Sequence, residues 1–352
     1  MSRYHTIILS EVYKETHNCS VLTFAIPENL KNEFTYKQGQ YLTLKAKIND
    51  EEVVRSYSLC TAPYENKWSV AVKKIDGGKF STFANEVLKA GDSLEVMPPD
   101  GKFFIEINPL KSNNYVAFAA GSGITPVISI IKTHLKEEPQ STFHLFYLNK
   151  NSQSVIFKNE LNQLAKDYSN RFKIHFFYTQ EATENKLFNG RFSAEKIQQI
   201  HSEIIDFKTV NHAFLCGPQE MIFLLKDELQ KYGMNEKNIH FELFEATKSE
   251  KETKIEAIDN AEVTIIIDDE ELTFTIPKGK NILEIAEEQD ADVPFSCKGG
   301  VCCTCKAKVI EGSVEMKVNY ALDEIDIANN LVLTCQALPT SEKVVVDYDD
   351  VY

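Results

Sequence analysis

The chain is 352 residues long, 43% hydrophobic and 26% charged, with a formal net charge of −14. That length holds two or three domains, each with its own core, and the composition is that of an ordinary soluble protein. The acid excess argues against nucleic acid and anionic lipid as partners. It is concentrated at one end: from Ala261 onward nineteen Asp and Glu stand against seven Lys and Arg, a balance of −12, and the first 260 residues carry −2.

The N-terminus, Met1 to His5, lacks the apolar core of a signal peptide, and the most apolar region, Tyr115 to Ile131, is broken by glycines, Ser122, Thr125 and Pro126 well short of a membrane span. Both features point to a cytoplasmic protein with no membrane partner. Five of the eight cysteines lie after position 296, and clustered thiols in a reducing compartment suggest metal over disulfides.

Residues 1–108 read as β-rich. Short runs at Tyr4–Ser10, Ser20–Ile26, Tyr41–Ile48, Trp68–Lys74 and Ser93–Met97 are separated by turn residues, with one short amphipathic helix over Phe80–Leu88. That spacing predicts a small antiparallel barrel. Arg55-Ser56-Tyr57-Ser58 falls in one of its strands. Arg55 could meet a phosphate, Tyr57 a flat ring and Ser58 the ring's edge, or the stretch is an edge strand with a surface arginine.

From 109 to 246 strands and helices alternate. Strands are predicted at Tyr115–Ala119, Phe143–Leu148, Lys173–Tyr178, Ala213–Cys216 and Asn238–Phe244. Helices are predicted at Val127–Leu135, Val155–Tyr168, Ala194–His201 and Gln219–Tyr232. This order predicts a doubly wound parallel sheet. Gly121-Ser122-Gly123-Ile124-Thr125-Pro126 follows the first strand, where such sheets bind phosphates. Proline is tolerated in the helix's first turn and the Thr125 hydroxyl could donate to a phosphate; a tight turn alone would want the same glycines. Cys216-Gly217-Pro218 ends the fourth strand, a ligand position in open sheets, although a buried cysteine also serves as a small apolar filler. In the loop after the second strand, Lys150 and Ser152 suit a 2′-phosphate and so favour NADPH over NADH; a solvated loop lysine reads equally well.

Residues 247–260 are polar and have the composition of a linker. The final module, 261–352, opens with alternating strands at Glu262–Ile267 and Glu271–Ile276 and a helix over Ile282–Glu288 capped by Asn281. Strands at Lys306–Ile310, Val332–Cys335 and Lys343–Val346 follow. Between them Cys297, Cys302 and Cys305 give C-x4-C-x2-C, and Cys335 comes after twenty-nine intervening residues. This is the plant-type spacing for a [2Fe–2S] cluster. Gly299 and Gly300 allow the loop to curl so that its N–H groups face the cluster. Cys303 breaks the spacing and is read as a non-ligand. A zinc knot prefers paired knuckles, and only one such pair fits; a disulfide framework belongs to small secreted domains.

Taken in order, Gln38–Tyr41, Arg55–Ser58, Gly77–Ser81, Gly121–Pro126 and Cys216–Pro218 resemble the ferredoxin–NADP reductase family, here joined to a plant-type ferredoxin. The cysteine loop, Asn319–Leu322 and Leu333–Gln336 are similar to the reductase subunits of phenylacetyl-CoA epoxidases. The resemblance covers nearly the whole chain and implies a multidomain β, α/β and α+β architecture: an FAD-binding barrel, an NAD(P)-binding sheet and a β-grasp ferredoxin.

It implies that Arg55, Tyr57 and Ser58 hold a flavin, and that Gly78 and Ser81 cradle the FAD pyrophosphate. Gly121, Gly123 and Thr125 would take the pyrophosphate of NADPH or NADH, Cys216 and Gly217 would line the nicotinamide, and Glu242 and Phe244 would stand near the flavin. The implied activity is an electron relay from NAD(P)H through FAD and the cluster to a partner oxygenase, which docks near the cysteine loop. Two alternatives stay open at this point: the same reductase serving another hydroxylase, dioxygenase or hybrid-cluster acceptor, and a zinc-binding interaction module without flavin.

Overall fold

The computed structural model describes residues 4–245 and 255–351, which form two compact units. The first begins with a six-stranded antiparallel sheet. Its strands are β1 (His5–Thr16), β2 (Cys19–Ala25), β3 (Tyr41–Ile48), β4 (Glu51–Ser58), β5 (Trp68–Lys73) and, after helix α1 (Lys79–Glu86), β6 (Ser93–Val96). The order is β4-β3-β6-β1-β2-β5, and a bridge between Leu59 and Val70 returns the chain after β4 to β5, which bends the sheet toward closure. Ile7, Leu9, Leu22, Phe24, Leu42, Leu44 and Val70 fill the interior.

The second half of this unit runs β7 (Asn114–Ala120), α2 (Ile124–Glu137), β8 (Thr142–Asn149), α3 (Lys158–Asp167), β9 (Phe172–Tyr178), α4 (Ala194–Glu203), β10 (His212–Cys216), α5 (Gln219–Lys231) and β11 (Ile239–Glu242). All pairings are parallel, in the order β11-β10-β7-β8-β9. Strand β7 is central, and its residues Tyr115–Ala119 are all buried, as a strand covered on both faces requires.

Helix α2 is buried on every side from Ile124 to Leu135. One face packs on the parallel sheet, and the other meets the outer face of β2 and β5 through Cys19, Val21 and Ala71. A helix so placed is apolar except where a polar side chain finds a buried partner, which explains the long apolar stretch at 115–131 without a membrane. Among the described residues no helix is long and apolar enough to cross one. Polar contacts tie the helix to both neighbours: on the barrel side Ser129 Oγ donates to Thr61 O at 2.6 Å and Lys132 Nζ lies 2.6 Å from Glu65 Oε2, and Lys132 Nζ also lies 2.8 Å from Glu160 Oε1 of α3.

Helix α3 starts three residues later than its periodicity predicts. Phe157 takes a left-handed backbone (φ +59°), and Val155, Ile156 and Phe157 turn into the core ahead of the helix.

The other unit carries β12 (Ala261–Ile267), β13 (Glu270–Ile276), α6 (Ile282–Glu288), β14 (Lys306–Glu311), β15 (Val314–Met316), α7 (Glu324–Ala328), β16 (Leu331–Leu333), β17 (Ala337–Pro339) and β18 (Lys343–Asp347). Its main sheet has the order β13-β12-β18-β14-β16, with β15 and β17 forming a separate pair. Parallel β12–β18 pairing and antiparallel flanks, crossed by α6, give a β-grasp ferredoxin module. Asn281 caps α6, its side chain accepting from Glu284 N at 2.9 Å.

Most of the predicted linker, its residues 247–254, lies outside the described residues. Its last part is not a free tether: Ala257 is buried and Ile258 N donates to Pro339 O at 3.0 Å. The small apolar groups at 257–258 have a surface to cover.

Candidate functional site

In the first unit the C-terminal ends of β7 and β10, the turn between β7 and α2 and the end of β11 come together. Gly123 stands against the end of β10, so that a Cβ there would lie 2.1 Å from Cys216 O. Gly217 is equally enclosed: a Cβ would meet Met221 Cε at 2.6 Å and Ala120 Cβ at 2.9 Å. These two glycines are required by close approach, whatever the turn binds. Thr125 is buried and its Oγ1 donates to Ser122 O at 3.0 Å, so its proton shapes the turn and does not face a phosphate. The pyrophosphate turn therefore offers backbone N–H groups and the start of α2, the usual means of holding an anion.

Cys216 pairs with Glu242 in register across β10 and β11. The Cys216 thiol is fully buried, and desolvation followed by the nearby Glu242 carboxylate pushes its pKa well up. Glu242 is half-buried. Withdrawal of its carboxyl from water pushes the pKa up to about 8, opposed by the hydrogen bond from Ser58. Ser58 Oγ donates to Glu242 Oε2 at 3.1 Å, so the barrel strand β4 and the last strand of the parallel sheet share one polar contact. A carboxyl poised near neutrality beside a hydroxyl and an inert thiol can hold or release a proton where a flavin's edge would stand.

Tyr57 tilts over Phe80 at 5.4 Å between ring centroids, 35° apart in plane, which leaves a flat aromatic face on the barrel. Gly78 precedes α1 directly, and a Cβ on it would fall 2.4 Å from Ser81 Oγ. Ser81 Oγ donates to Gly78 O and accepts from Ile75 N, both at 3.3 Å. Gly78 and Ser81 are thus locked together by close approach, and what the start of α1 offers an anion is its first backbone N–H groups. The residues present fit a flavin dinucleotide: an aromatic platform, a hydroxyl–carboxyl pair and a glycine-lined helix start. Arg55 is exposed on β4, and its Nη1 donates to Val54 O at 2.6 Å, so the guanidinium is turned back on its own strand. Phe244, 40% exposed, follows β11 by two residues.

The loop after β8 differs from its sequence reading. The Ser152 amide donates to Glu181 Oε2 at 2.8 Å, and the Ser152 hydroxyl also bonds this carboxylate. Both donors of Ser152 are committed to an acid that reaches in from beyond β9. Lys150 remains exposed at the end of β8.

In the second unit the four thiols converge in one continuous chain, with Cys335 touching both Cys297 and Cys305. Cys302 Sγ lies 3.1 Å from Cys297 Sγ, and Cys305 and Cys335 bond each other through their side chains. Hydrogen bonds from Cys302 and Cys335 hold the Cys297 thiol well below its usual range, and that from Cys335 lowers Cys305. Among the described residues no three His, Cys, Asp or Glu are set around a single ion position. Four sulfurs gathered in one cluster suit the four-cysteine ligation of a two-iron centre.

The loop is built for this. Gly300 has φ +72°, and a Cβ would meet Val318 O at 3.0 Å and Gln336 Cγ at 3.1 Å. Gly299 N donates to Cys297 Sγ at 3.4 Å, and Gln336 Nε2 holds Lys298 O at 3.0 Å. Tyr348 OH donates to Thr334 Oγ1 and Thr334 Oγ1 to Cys305 O, both at 2.9 Å, which ties the fourth cysteine's strand to the loop. Cys303 turns into the core, its Sγ 3.6 Å from Ala321 O.

Comparison with known proteins matches this division. Residues 6–105 match the oxidoreductase FAD-binding domain family, 118–224 the oxidoreductase NAD-binding domain family and 265–340 the 2Fe-2S iron-sulfur cluster binding domain family. The chain is 40% identical to one of the subunits of 1,2-phenylacetyl-CoA epoxidase from Escherichia coli (strain K12), covering 99% of both chains. It is 31% identical to the ferredoxin reductase component of 3-ketosteroid-9-alpha-monooxygenase from Rhodococcus rhodochrous, over 99% of this chain and 97% of that one. In fold it is similar to phthalate dioxygenase reductase, with a TM-score of 0.58 and 22% identity over 98% of each chain. It also resembles part of an intact type IV self-sufficient cytochrome P450 monooxygenase (TM-score 0.71, 19% identity), where 97% of this chain spans 41% of that one.

Proposed function

We propose that this chain, which belongs to the FAD- and [2Fe–2S]-dependent reductase components of oxygenase systems, delivers electrons from NADPH or NADH to a phenylacetyl-CoA epoxidase. When bound, FAD takes two electrons as a hydride from the nicotinamide and releases them singly to the two-iron cluster. The protein's share is positioning and proton handling. The turn Gly121–Gly123 presents backbone N–H groups at the start of α2 to the coenzyme's pyrophosphate; Cys216 and Gly217 form a small, uncharged floor for the nicotinamide. Tyr57 carries the flavin ring, with Ser58 and Glu242 at its edge. Glu242, neutral up to about pH 8, can supply or hold the proton that accompanies hydride transfer while Ser58 orients it.

Cys297, Cys302, Cys305 and Cys335 would ligate the cluster, with Cys303 left in the core. The observation that carries this reading is the meeting of Ser58, Cys216 and Glu242 at the ends of three strands, in a chain that also brings four cysteines together.

The relationship to an epoxidase component along the whole chain supports that acceptor. The likeness to a steroid monooxygenase component supports a second reading, the same reductase serving a different oxygenase. Coupled assays separate them: NADPH oxidation tied to epoxidation of phenylacetyl-CoA is expected to exceed that with a Rieske or steroid oxygenase by at least about ten-fold. Equal or greater coupling to another oxygenase would replace the epoxidase with that acceptor.

A further inference from the structure

Helix α3 begins without a cap of its own. Phe157, the residue before its first turn, has a left-handed backbone (φ +59°) and a side chain that accepts no hydrogen bond. The free amides at this end therefore need acceptors from elsewhere. One comes from the barrel: Glu15, near the end of β1, takes the Phe157 N–H on its Oε1 at 2.9 Å across 142 residues of sequence. An ordinary N-cap serves its own helix; here the acceptor belongs to the other half of the unit.

The position is unfavourable for a carboxylate without a donor. Glu15 is half-buried, and burial pushes its pKa up; the Phe157 N–H opposes this, and the nearby Glu160 charge adds to the rise. Glu160, in the first turn of α3, is itself tied to Lys132 of α2, which also holds Glu65 on the barrel side. The start of α3 is thus gripped twice from the barrel, directly by Glu15 and through Lys132 by Glu65.

This helix start touches both parts of the coenzyme region. Lys158 Nζ donates to Ser152 O at 3.3 Å, and Ser152 is the loop residue whose two donors Glu181 takes. The Ile156 N–H, next to the amide that Glu15 holds, faces the hydroxyl of buried Tyr147. That hydroxyl donates to Gly121 O at 2.9 Å. A single barrel carboxylate therefore reaches the pyrophosphate turn and the loop after β8 through two consecutive amides and the first residue of α3.

We infer that Glu15 is a positioning residue for hydride transfer: from the barrel it fixes the start of α3, and through it the Gly121 turn and the loop after β8, in register with the flavin site. The inference rests on the flavin and coenzyme reading given above and extends it to a residue that lies in no motif of either site. What the position requires is an acceptor, with or without charge. Glutamine supplies one there, and methionine, of similar length, does not.

The test uses the full-length holoprotein as wild type, Glu15→Met and Glu15→Gln. Flavin content, melting temperature, amide hydrogen exchange without coenzyme, and the rate of flavin reduction by NADPH and by NADH are measured for each. Glu15→Met is expected to keep its FAD and to exchange faster at residues 149–158 and at Gly121–Gly123. Its flavin reduction is expected to slow by about ten-fold with either coenzyme, with kcat falling more than KM rises. Glu15→Gln is expected to restore most of the rate and the protection.

Unchanged reduction rates in Glu15→Met overturn the inference. So does a lower melting temperature with reduction and exchange at Gly121–Gly123 unaltered, which would make Glu15 a stabilising cap and nothing more. Loss of FAD would assign Glu15 to the flavin site, and failure of Glu15→Gln to restore the rate would replace the acceptor with the charge; both overturn it. Should the methionine variant fail to fold, Glu65→Gln loosens the second grip alone, and a smaller slowing with the same exchange pattern is expected; no change in either overturns the inference. A wild type whose flavin neither coenzyme reduces would remove the functional reading, whereas the grip of Glu15 on α3 is read separately by exchange.

Discussion

Ser58 Oγ donates to Glu242 Oε2 at 3.1 Å, across 184 residues of sequence, and joins the barrel's fourth strand to the last strand of the parallel sheet. Neither residue belongs to a contiguous motif with the other. Their meeting places a carboxyl of raised pKa beside Cys216, its in-register neighbour on β10.

That carboxyl gives the reductase unit a pH signature. Glu242 ionises at about 8 in the folded chain, against an ordinary value of 4.5 for a free carboxyl. Between those values the unfolded chain has lost a proton that the folded chain keeps, so stability falls as pH rises. Glu242→Gln removes the effect. Melting of the flavin-free protein is expected to decline from about pH 5 to 8 in wild type relative to the glutamine variant; parallel curves would mean that Glu242 is ionised throughout. In the holoprotein the same variant should slow hydride transfer and erase its dependence on a group near pH 8.

Tyr57 is predicted to carry the flavin through ring contact rather than its hydroxyl. Tyr57→Ala loses the platform it shares with Phe80 and is expected to purify with little FAD and no dye reduction. Tyr57→Phe keeps the face and should keep the flavin. The ratio of flavin to protein absorbance measures both. Equal retention by the alanine variant would move the ring elsewhere.

The cysteine assignment separates two activities. Cys335→Ser is expected to lose the cluster's visible bands and electron delivery to the oxygenase, while NADPH still reduces a dye through the flavin. Cys303→Ser should keep its iron, because Cys303 Sγ faces Ala321 O in the core. Iron analysis of both variants tests the choice of four from five. Parallel loss of dye reduction in Cys335→Ser would contradict the order of the relay.

Lys132 is 4% exposed between Glu65 and Glu160. Burial pulls its pKa down, and the two carboxylates more than reverse this, so it is held above its ordinary value. Replacing both acids by glutamine leaves an uncompensated buried charge and is expected to cost about 3–5 kcal/mol of stability. Denaturant unfolding of the flavin-free protein measures it. A cost below about 1 kcal/mol would mean that the ammonium finds water by a small shift of α2.

Much of this architecture is legible in the sequence. The spacing Cys297, Cys302, Cys305 and Cys335 is a local constraint on three ligands and a single distant one. The run Tyr115–Ala119 announces a strand covered on both faces. Asn281 marks the start of α6 three residues ahead of Glu284, the partner its cap requires.

What the sequence conceals depends on contacts across the fold. Glu181 lies beyond β9, so nothing local ties it to Ser152. The short strands Val314–Met316 and Ala337–Pro339 exist because they pair with each other, and three residues carry no periodicity of their own. Helix α7 is five residues long, held by Asp323 at its start, and is below the length at which a repeat shows.

The relay requires that one chain hold both a flavin and a two-iron cluster and pass electrons between them from a nicotinamide coenzyme. Anaerobic titration of the purified protein with NADPH, followed by its visible spectrum and accompanied by flavin and iron analysis, is the decisive measurement. One FAD and two irons per chain are expected, with flavin bands and cluster bands both bleaching as NADPH is added. A colourless, iron-free protein, or cluster bands that NADPH leaves untouched while the flavin bleaches, would contradict the relay.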